Sequence, residues 1–470
     1  MVVISIDSLR ADHLGCYGYS RPTSPRIDAV ARNGVVYENA FSTTSWTLPS
    51  HMALFTGMYD TVHGVTTHRE ALDPLRVTLP EVFQSAGYRT AGFFSGPYLI
   101  PAFGFGKGFD KYIACFDYLE PAELSHKDSR GYKPETHMAS HSDITSPRIH
   151  RDVRRWLDEG VSEPYFLFVH MWDVHYDYVP PGEYATRFTD PGYESPLDFS
   201  SFETNAAINA KMDPRDLAHL VGLYDGEIAY TDAYLGKILD DLDERGLLEN
   251  TIVVITSDHG EAFFEHGQKG HQKDLFDEVL HVPFIVSWPG HIAPRRLPQQ
   301  ISLIDMMPTL LELASLEVPS ESNGHSLAPA LLDREPPRDS LVFSELTMDD
   351  VKFRRHLRAL RTPQYKVIYN VTPGGKYQGQ GVLYDLQRDP GERRSLGAGD
   401  APFADEAVRR LNDLIHLTEE LRDALPRKGV EPVELPPGVA EKLRELGYLE
   451  ETPPESPAPR TPPDPSSTPR

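Results

Sequence analysis

Short apolar runs, rich in β-branched and aromatic residues, alternate with longer amphipathic patterns along most of the chain. The runs VVISI, TAGFFS, YFLFVH, TIVVITS and VPFIVS occupy residues 2–6, 90–95, 165–170, 251–257 and 282–287. A strand that is apolar on both faces is typical of a parallel sheet with helices on each side. The alternation therefore predicts an α/β fold with a large, mostly parallel sheet flanked by helices.

Residues that typically begin or end helices mark the limits of the predicted helices. Two of the segments between the predicted elements have no clear helical or strand pattern. Ser24-Pro25 begins one helix that Gly34 ends, and a long amphipathic pattern over 216–245 stops at Gly246. Residues 114–162 and 176–214 are rich in His, Tyr, Pro and Asp and show weak periodicity. We expect long loops there, close to the functional site.

After about residue 338 the helical crossovers disappear. The runs SLVFSE, LRALRTPQYKVIYN and GVLYDLQRDPGERRSL are joined by Pro and Gly turns and predict three strands of a small antiparallel sheet. Helical patterns and a Pro-rich end follow. The predicted units are a catalytic α/β domain over 1–337, an antiparallel subdomain over 338–400, helices over 401–450 and a disordered tail over 451–470.

The charge and composition of the chain limit the kinds of molecule that it can bind. The 470 residues carry a formal charge of −24, which argues against a nucleic acid, because phosphate binding needs a basic face. Cys16 and Cys115 are too few for a disulfide framework. No apolar run reaches the ~18 residues of a membrane span, and no signal peptide is visible. Since the chain begins inside a strand pattern, localisation stays open, with the periplasm or the extracellular space as alternatives. Oligomeric state also stays open.

Candidate metal ligands follow the ends of three predicted strands. VVISI leads to Asp7, YFLFVH ends at His170 and leads to Asp173 and His175, and TIVVITS leads to Asp258 and His259. The carboxyl ends of parallel strands share one edge of the sheet, so these side chains can converge. Each has an ordinary alternative as a turn former, a helix cap or a packed histidine. Together they predict a divalent ion, and carboxylates with imidazole suit Mn²⁺ or Zn²⁺ better than Ca²⁺.

The stretch TTSWTLPSHMALFTG, residues 43–57, offers hydroxyl groups just before an apolar helix. A helix N-terminus favours anions, and a metal ion can activate a hydroxyl nucleophile. Thr47 is the predicted nucleophile and a further metal ligand, with Ser45 and Ser50 as competing candidates. Because Ser50 follows Pro49, we expect it to cap a helix that begins near His51.

Six segments together resemble the sulfatase family of the alkaline phosphatase superfamily. They are ISIDSLRADHLGCYG, TLPSHMALFTG, TVHGV, FVHMWDVHYDY, TSDHGEAFFEHG and LYDLQRDPGE, in the family's order. The resemblance implies a large α/β domain followed by a small antiparallel sheet, and an ester hydrolase. By position it implies Asp7, Asp258 and His259 as metal ligands and Thr47 as the nucleophile. It also implies contacts to the substrate's anionic group from His175 and from His271, near the place of a family lysine.

The chain departs from this family's pattern at several positions of the site, and together these departures favour phosphate chemistry. The family's nucleophile is a Cys or Ser that is oxidised to formylglycine, a route closed to Thr47. His51 stands in place of an Arg, Ser8 in place of an Asp, and His259 in place of an Asn. The family's Lys-x-His is absent near Ser95 and Pro97. A threonine with Asp and His ligands looks like the phosphate-handling branches of the superfamily.

These features predict a metal-dependent hydrolase of a small-molecule or glycan ester, with a phosphoester favoured over a sulfate ester. Thr47 attacks, His175, His271 and Lys269 contact the anionic oxygens, His51 binds substrate, and His271 or His175 protonates the leaving group. Lys269 and Lys273 also fit ordinary solvated charges. A second ion on Asp173, His175 and His271 is an alternative to one site. The competing functions are a sulfuric ester hydrolase, a transferase of a phosphoryl-linked headgroup and a non-catalytic binding domain.

Overall fold

The computed structural model describes residues 1–116, 144–161, 163–349, 354–373, 379–397 and 403–449. The strands are β1 (Val2–Ile6), β2 (Val35–Phe41), β3 (Arg89–Phe94), β4 (Lys111–Ala114), β5 (Tyr165–Met171), β6 (Val253–Thr256), β7 (Ala262–Phe263), β8 (Lys269–Gly270), β9 (His281–Ser287), β10 (Arg295–Ser302), β11 (Val342–Asp349), β12 (Arg354–Arg361), β13 (Tyr365–Asn370) and β14 (Gly381–Asp385).

The α-helices are α1 (Pro25–Arg32), α2 (Thr47–Thr56), α3 (Asp60–His63), α4 (Leu79–Ser85), α5 (Ser146–Asp158), α6 (Pro214–Asp243), α7 (Asp277–Leu280), α8 (Met306–Leu313), α9 (Ala328–Leu331), α10 (Ala404–Ala424) and α11 (Pro437–Glu445). Short 3₁₀ helices cover Ala11–His13, Gly15–Tyr17, Pro97–Leu99, Pro101–Phe103, Gly182–Ala185, Phe199–Ser201 and Leu303–Asp305.

Eight strands form the large sheet in the order β10-β2-β9-β6-β1-β5-β3-β4. Strand β1 pairs in parallel with β5 and β6, while β9 runs antiparallel to both of its neighbours, β6 and β2. The mostly parallel sheet that the apolar runs predict is therefore confirmed. Its centre places the carboxyl ends of β6, β1 and β5 side by side.

Helices cover both faces of this sheet because its central strands are apolar on both sides. In β1, Val3 lies in one buried cluster, whereas Val2, Ile4 and Ile6 lie in the other. Helices α2, α4 and α8 contribute to the first cluster, and α5 and α6 contribute to the second. Burial of this kind stabilises a fold by about 25 cal/mol per Å² of apolar surface, so both clusters hold the site's strands in place.

The second sheet is antiparallel, in the order β11-β12-β13-β14, and α10 packs against it. The predicted small C-terminal sheet is confirmed, but it has four strands where the sequence suggested three. The run LRALRTPQYKVIYN folds back on itself, so that β12 and β13 pair antiparallel across a short turn at Thr362.

Several predicted boundaries lie close to those observed, and others fall outside the described residues. Helix α6 begins and ends two residues before the predicted 216–245. Most of the predicted loop over 114–162 lies outside the described residues, but its described end forms helix α5, so the prediction of a loop is wrong there. The whole Pro-rich tail over 451–470 lies outside the described residues. The domain limits at 337, 400 and 450 stay a prediction.

Candidate active site

Two neighbouring strand ends bring the three predicted metal ligands together. Asp7 follows β1 directly, and Asp258 and His259 follow β6, the parallel neighbour of β1. One ligand atom from each of these residues lies within 4.8 Å of the others, and all three side chains are buried. The convergence predicted from sequence spacing is present in the structure.

The chemistry of this cluster fits a divalent cation. Asp258 Oδ2 is buried and makes no hydrogen bond with any described residue. Nε2 of His259 lies 3.4 Å from that oxygen and 3.7 Å from Asp7 Oδ1. Burial raises the pKa of Asp7 to about 6, opposed by His259. Burial lowers the pKa of His259, but the carboxylates of Asp258 and Asp7 outweigh it and raise the value. Two buried carboxylates this close together need a positive partner.

Thr47 lies at this cluster, as the first residue of helix α2. Its Oγ1 donates to Asp7 Oδ2 at 3.3 Å and lies 3.4 Å from Nε2 of His259. The N-terminus of α2 adds the positive end of a helix dipole beside the same oxygen. By contrast, the hydroxyl of Ser45 is buried without a hydrogen-bond partner among the described residues. The structure thus places the Thr47 hydroxyl against two candidate metal ligands.

Ser50 and His51 lie in α2, and their side chains make hydrogen bonds that hold this helix in position. The expectation that Ser50 caps a helix beginning near His51 is wrong, because the helix begins one turn earlier and Ser50 Oγ donates to the carbonyl of Asp258 at 2.7 Å. The two ring nitrogens of His51 lie 3.0 Å from Thr47 O and 2.9 Å from Ser5 Oγ. Burial lowers the pKa of His51 to about 3. His51 therefore fixes the Thr47 backbone with both nitrogens engaged.

His170 and Ser8 contact the first metal-ligand candidate from either side. Nε2 of His170 lies 3.1 Å from Asp7 Oδ2, and Ser8 Oγ donates to Asp7 Oδ1 at 2.9 Å. The Ser8 backbone has a φ of 57°, and its N–H donates to Asp258 Oδ1 at 3.2 Å. His170 belongs to the strand-end groups that the sequence predicts to converge, and the structure places it against Asp7.

A second group of side chains lies next to the metal-ligand cluster and consists of two buried histidines, a buried glutamate and a half-buried tyrosine. The ring of His271 lies 4.3 Å from that of His259, between centroids. Nδ1 of His271 is 3.1 Å from Glu261 Oε1, which brings a third carboxylate to the site. The hydroxyl of Tyr448 lies 2.7 Å from Nε2 of His175 and 2.6 Å from Nε2 of His271.

Burial lowers the pKa values of His175 and His271 well below their usual range. Burial also raises the pKa of Glu261 to about 7, opposed by His259. His175 stacks on Trp172, with 3.8 Å between ring centroids, and its Nδ1 lies 2.6 Å from the carbonyl of Tyr176. These contacts hold both imidazoles in fixed orientations.

Two other predicted residues have different neighbours. Lys269 Nζ donates to the carbonyls of Phe202 and Asn205, so it binds the loop before α6. Asp173 accepts hydrogen bonds from the backbone and hydroxyl of Thr145 and from the backbone of Ser146, at the start of α5. The structure therefore brings His175 and His271 together without Asp173.

Comparison with models of protein families shows to which family the chain belongs. A model of the sulfatase family matches residues 1–316, and a model described as "N-sulphoglucosamine sulphohydrolase, C-terminal" matches residues 265–420. This chain belongs to the sulfatase family. It is accordingly a hydrolase of sulfuric or phosphoric ester bonds, and the Asp7, Asp258 and His259 cluster is a candidate for the divalent ion that members of the family typically bind.

Characterised sulfatases are similar over most of their length. Arylsulfatase A of Homo sapiens is 28% identical over 477 residues, covering 90% of this chain and 88% of the relative. Delta 4,5-hexuronate-2-O-sulfatase of Bacteroides thetaiotaomicron is 26% identical over 428 residues, covering 84% of each chain.

Solved structures confirm the fold. The phosphonate monoester hydrolase of Agrobacterium radiobacter superposes with a TM-score of 0.71 at 23% identity, covering 89% of this chain and 95% of its own. A 2-O GAG sulfatase superposes with a TM-score of 0.70 at 22% identity, covering 92% and 94%. Among the described helices, none has both the length and the apolar character that crossing a bilayer requires.

Sequence reasoning missed two residues of this sulfatase's candidate site. Glu261 lies two positions after His259, so its closeness to the predicted ligands was a usable signal. Tyr448 had no such signal, because it follows a short helix near the end of the described chain and reaches the site only through tertiary packing.

Proposed function

We propose that this sulfatase-family chain is a metal-dependent hydrolase that uses unmodified Thr47 as its nucleophile and prefers phosphoesters to sulfate esters. The position of the Thr47 hydroxyl carries the proposal, with Asp7 Oδ2 at 3.3 Å and His259 Nε2 at 3.4 Å. Asp7, Asp258, His259 and Thr47 would hold one divalent ion. Bound there, Mn²⁺, Zn²⁺ or Ca²⁺ would supply Lewis acidity for an ester hydrolysis.

The residues around Thr47 fit a reaction with two displacements. Thr47 Oγ1 attacks the phosphorus in line, and its proton leaves along the hydrogen bond to Asp7. The N-terminus of α2 would stabilise negative charge on the ester oxygens. The imidazoles of His175 and His271 would contact such an oxygen where it takes the place of the Tyr448 hydroxyl, which bonds to Nε2 of both rings. Water then attacks the phosphothreonine and releases Thr47.

Threonine chemistry supports phosphorus over sulfur. Formylglycine carries a second hydroxyl that expels sulfate by elimination, and a sulfated threonine has no such exit. A phosphothreonine is instead released by attack of water at phosphorus. The name of the Agrobacterium relative in fold, a phosphonate monoester hydrolase, is in line with phosphorus chemistry on this scaffold.

The test is a panel of aryl phosphate monoesters, phosphodiesters, phosphonate monoesters and sulfates, each assayed with Mn²⁺, Zn²⁺, Mg²⁺ and Ca²⁺. We expect phosphoester turnover in the wild type and a loss of at least about 1,000-fold in Thr47→Ala, because removal of a nucleophile leaves only binding and electrostatic effects. Thr47→Ser should retain activity, since it keeps the hydroxyl.

Controls separate loss of the nucleophile from loss of the fold. Thr47→Ala should keep the wild-type melting temperature within a few degrees and should still bind the ion. If Thr47→Ala retains most of the phosphoester activity, another group is the nucleophile. If sulfate esters are by far the best substrates of the wild type, the preference for phosphorus is wrong.

A sulfuric ester hydrolase is the second candidate, because the similar characterised chains are named sulfatases at 26% and 28% identity. On this alternative the same residues act on a sulfate ester. Thr47→Cys, which restores a family nucleophile that can be oxidised to formylglycine, then raises sulfate ester turnover. The same panel measures it.

A further inference from the structure

The candidate catalytic side chains are closed off from solvent. Asp7, Asp258 and His259 are completely buried, and Thr47 is 1% exposed. A cavity of about 1320 Å³ lies nearby, but none of these four residues forms part of its wall. An ester can therefore reach Thr47 only after part of the surrounding structure moves.

Tyr448 separates the site from this cavity. The cavity wall includes both Tyr448 and Trp46, and Trp46 directly precedes Thr47 in the chain. The hydroxyl of Tyr448 lies 2.7 Å from Nε2 of His175 and 2.6 Å from Nε2 of His271. Its half-buried side chain thus reaches from the cavity wall to the two histidines of the site.

The Tyr448 hydroxyl fills the position at which both imidazoles can contact a substrate oxygen. On the far side of each ring, Nδ1 already has a partner. For His175 it is the carbonyl of Tyr176, and for His271 it is the carboxylate of Glu261. Any oxygen that contacts both Nε2 atoms must therefore take the place of the hydroxyl. A phenol and a hydrogen phosphate ion each present an oxygen with a single proton, so one can replace the other there.

The chain reaches this position through a turn at one glycine. Gly447 has a φ of 81°, and the N–H groups of Tyr448 and Leu449 both donate to Leu443 O, at 2.8 and 3.2 Å. This is a Schellman ending, which forms at a left-handed residue that suits glycine. Among the described residues, Tyr448 and Leu449 make no other backbone hydrogen bond.

Helix α11 anchors this turn. Its residues Val439 and Leu443 are fully buried in one of the clusters that cover the large sheet, and Leu446 lies in the other. The two residues after Gly447 are only half-buried. Rotation of the backbone at Gly447 therefore frees Tyr448 while the apolar face of α11 stays packed.

We propose that residues 447–449 form a gate over the candidate active site, hinged at Gly447 and closed by the Tyr448 hydroxyl. The inference rests on the proposed function and deepens it, because it states what moves before an ester reaches Thr47. In the closed form Tyr448 bonds to His175 and His271. The anionic group of the substrate replaces the hydroxyl, and Tyr448 turns toward the cavity. The gate thus opens for a substrate that takes over both contacts.

Calorimetry with inorganic phosphate, in the presence of Mn²⁺, tests the gate without any turnover. An anion that binds only the open form has an apparent affinity lowered by the fraction of closed molecules. Tyr448→Phe removes both hydrogen bonds of the closed form and keeps the ring that packs on Tyr98 and Tyr176. We expect this variant to bind phosphate about tenfold more tightly than the wild type.

Tyr165→Phe is the matched control. Tyr165 is also buried, and its hydroxyl also has two partners, Leu247 O and Thr251 Oγ1, but it begins β5, at the end of the sheet opposite to the site. Its loss should leave the phosphate affinity unchanged. Weaker binding in Tyr448→Phe would overturn the proposal, because the hydroxyl would then hold the anion. Unchanged binding would overturn it too, since the hydroxyl would not compete.

Gly447→Ala tests the hinge with every side chain of the site left in place. Alanine at a φ of 81° is strained, so the closed turn is weakened and the phosphate affinity should rise about fivefold. Gly246→Ala is the control, because Gly246 has a φ of 69° and the next N–H, of Leu247, donates to Leu242 O in the same way. That turn precedes β6, away from the site, so the phosphate affinity should not change. Equal affinity in Gly447→Ala and the wild type contradicts the hinge.

Hydrogen exchange measured by mass spectrometry shows whether the turn opens. Saturation of the wild type with phosphate should raise the exchange rate of the Tyr448 and Leu449 amides at least about tenfold, because their bonds to Leu443 O break. The amides within α11 should keep their rates. Slower or unchanged exchange at Tyr448 and Leu449 would show that the anion binds with the turn closed, and the proposal would be wrong.

The outcome separates from that of the proposed function. A Thr47→Ala variant that keeps its activity, or a wild type that prefers sulfates, refutes the proposed hydrolase and leaves the binding and exchange measurements intact. Phosphoester turnover without faster exchange at Tyr448 refutes the gate alone. If the wild type, Tyr448→Phe and Gly447→Ala all bind no phosphate, the two histidines form no position for an anion and the gate is refuted.

Discussion

Among single residues, Asp258 tests the metal site most directly. Its Oδ2 has no hydrogen-bond partner among the described residues, while its Oδ1 accepts from the N–H of Ser8. Asp258→Asn keeps the shape but removes the charge that a divalent ion needs. We expect the affinity for Mn²⁺ or Zn²⁺ to fall at least about 100-fold, since a buried ligand charge contributes several kcal/mol. Equilibrium dialysis with metal analysis measures this.

Asp225→Asn controls for the loss of a buried carboxylate in general. Asp225 is also buried and pairs with His13 and Arg21 at 2.7 Å each, away from the cluster. We expect it to lower stability and leave ion binding intact. Wild-type ion affinity in Asp258→Asn would show that the ion, if bound, uses other ligands.

At the scale of elements, His266 links the turn between β7 and β8 to helix α7 and to the segment that follows β14. Its Nδ1 lies 2.7 Å from Glu278 Oε1 and its Nε2 lies 2.9 Å from Glu392 O, so both nitrogens face acceptors. Burial opposes the charged form, but Glu278 outweighs it and raises the pKa of His266 to about 9. A pKa raised above the unfolded value means that protonation stabilises the fold.

This contribution should be complete below about pH 6.5 and should disappear as the pH rises through 9. We expect the difference in free energy of unfolding between wild type and His266→Gln to shrink from pH 6 to pH 10, measured by urea titration. His416→Gln is the control, because that histidine is exposed on α10. A difference that does not change with pH would show that His266 is neutral in the fold.

Many of the strands, and the meeting of the metal-ligand candidates, could be predicted from the sequence. Apolar runs predicted the large sheet, because a strand buried on both faces leaves a continuous pattern. Strand order then brought Asp7 and Asp258 together, because β1 and β6 are neighbours. Tyr448 could not be found this way, since it lies 177 residues from His271 and meets it only when α11 docks. The start of α2 was missed because Pro49 suggested a later first turn.

For the whole molecule, buried charges join the two sheets. Lys366, in β13, is fully buried, and its Nζ lies 2.7 Å from Asp277 at the start of α7 and 2.9 Å from Glu392. Burial lowers the pKa of Lys366, but Asp277 and Glu392 outweigh it and raise the value. Removal of this cation leaves buried Glu392 without its ion pair, whereas Asp277 keeps Arg361 at 2.9 Å.

Lys366→Met should therefore lower the free energy of unfolding by about 3–5 kcal/mol, the usual cost of breaking a buried ion pair. The double variant Lys366→Met with Glu392→Gln should recover part of that loss, because the stranded charge is gone.

Arg388→Met is the control, since it breaks an exposed pair with Asp385 that should contribute less than about 1 kcal/mol. Urea unfolding of the wild type, Lys366→Met, Glu392→Gln and the double variant measures the coupling between Lys366 and Glu392. Because Lys366 lies in β13 and Asp277 begins α7, just before β9 of the large sheet, a loss of the expected size in Lys366→Met means that the C-terminal sheet stabilises the segment that carries His271. No loss in Lys366→Met would show that the two sheets are held together by their apolar contacts alone.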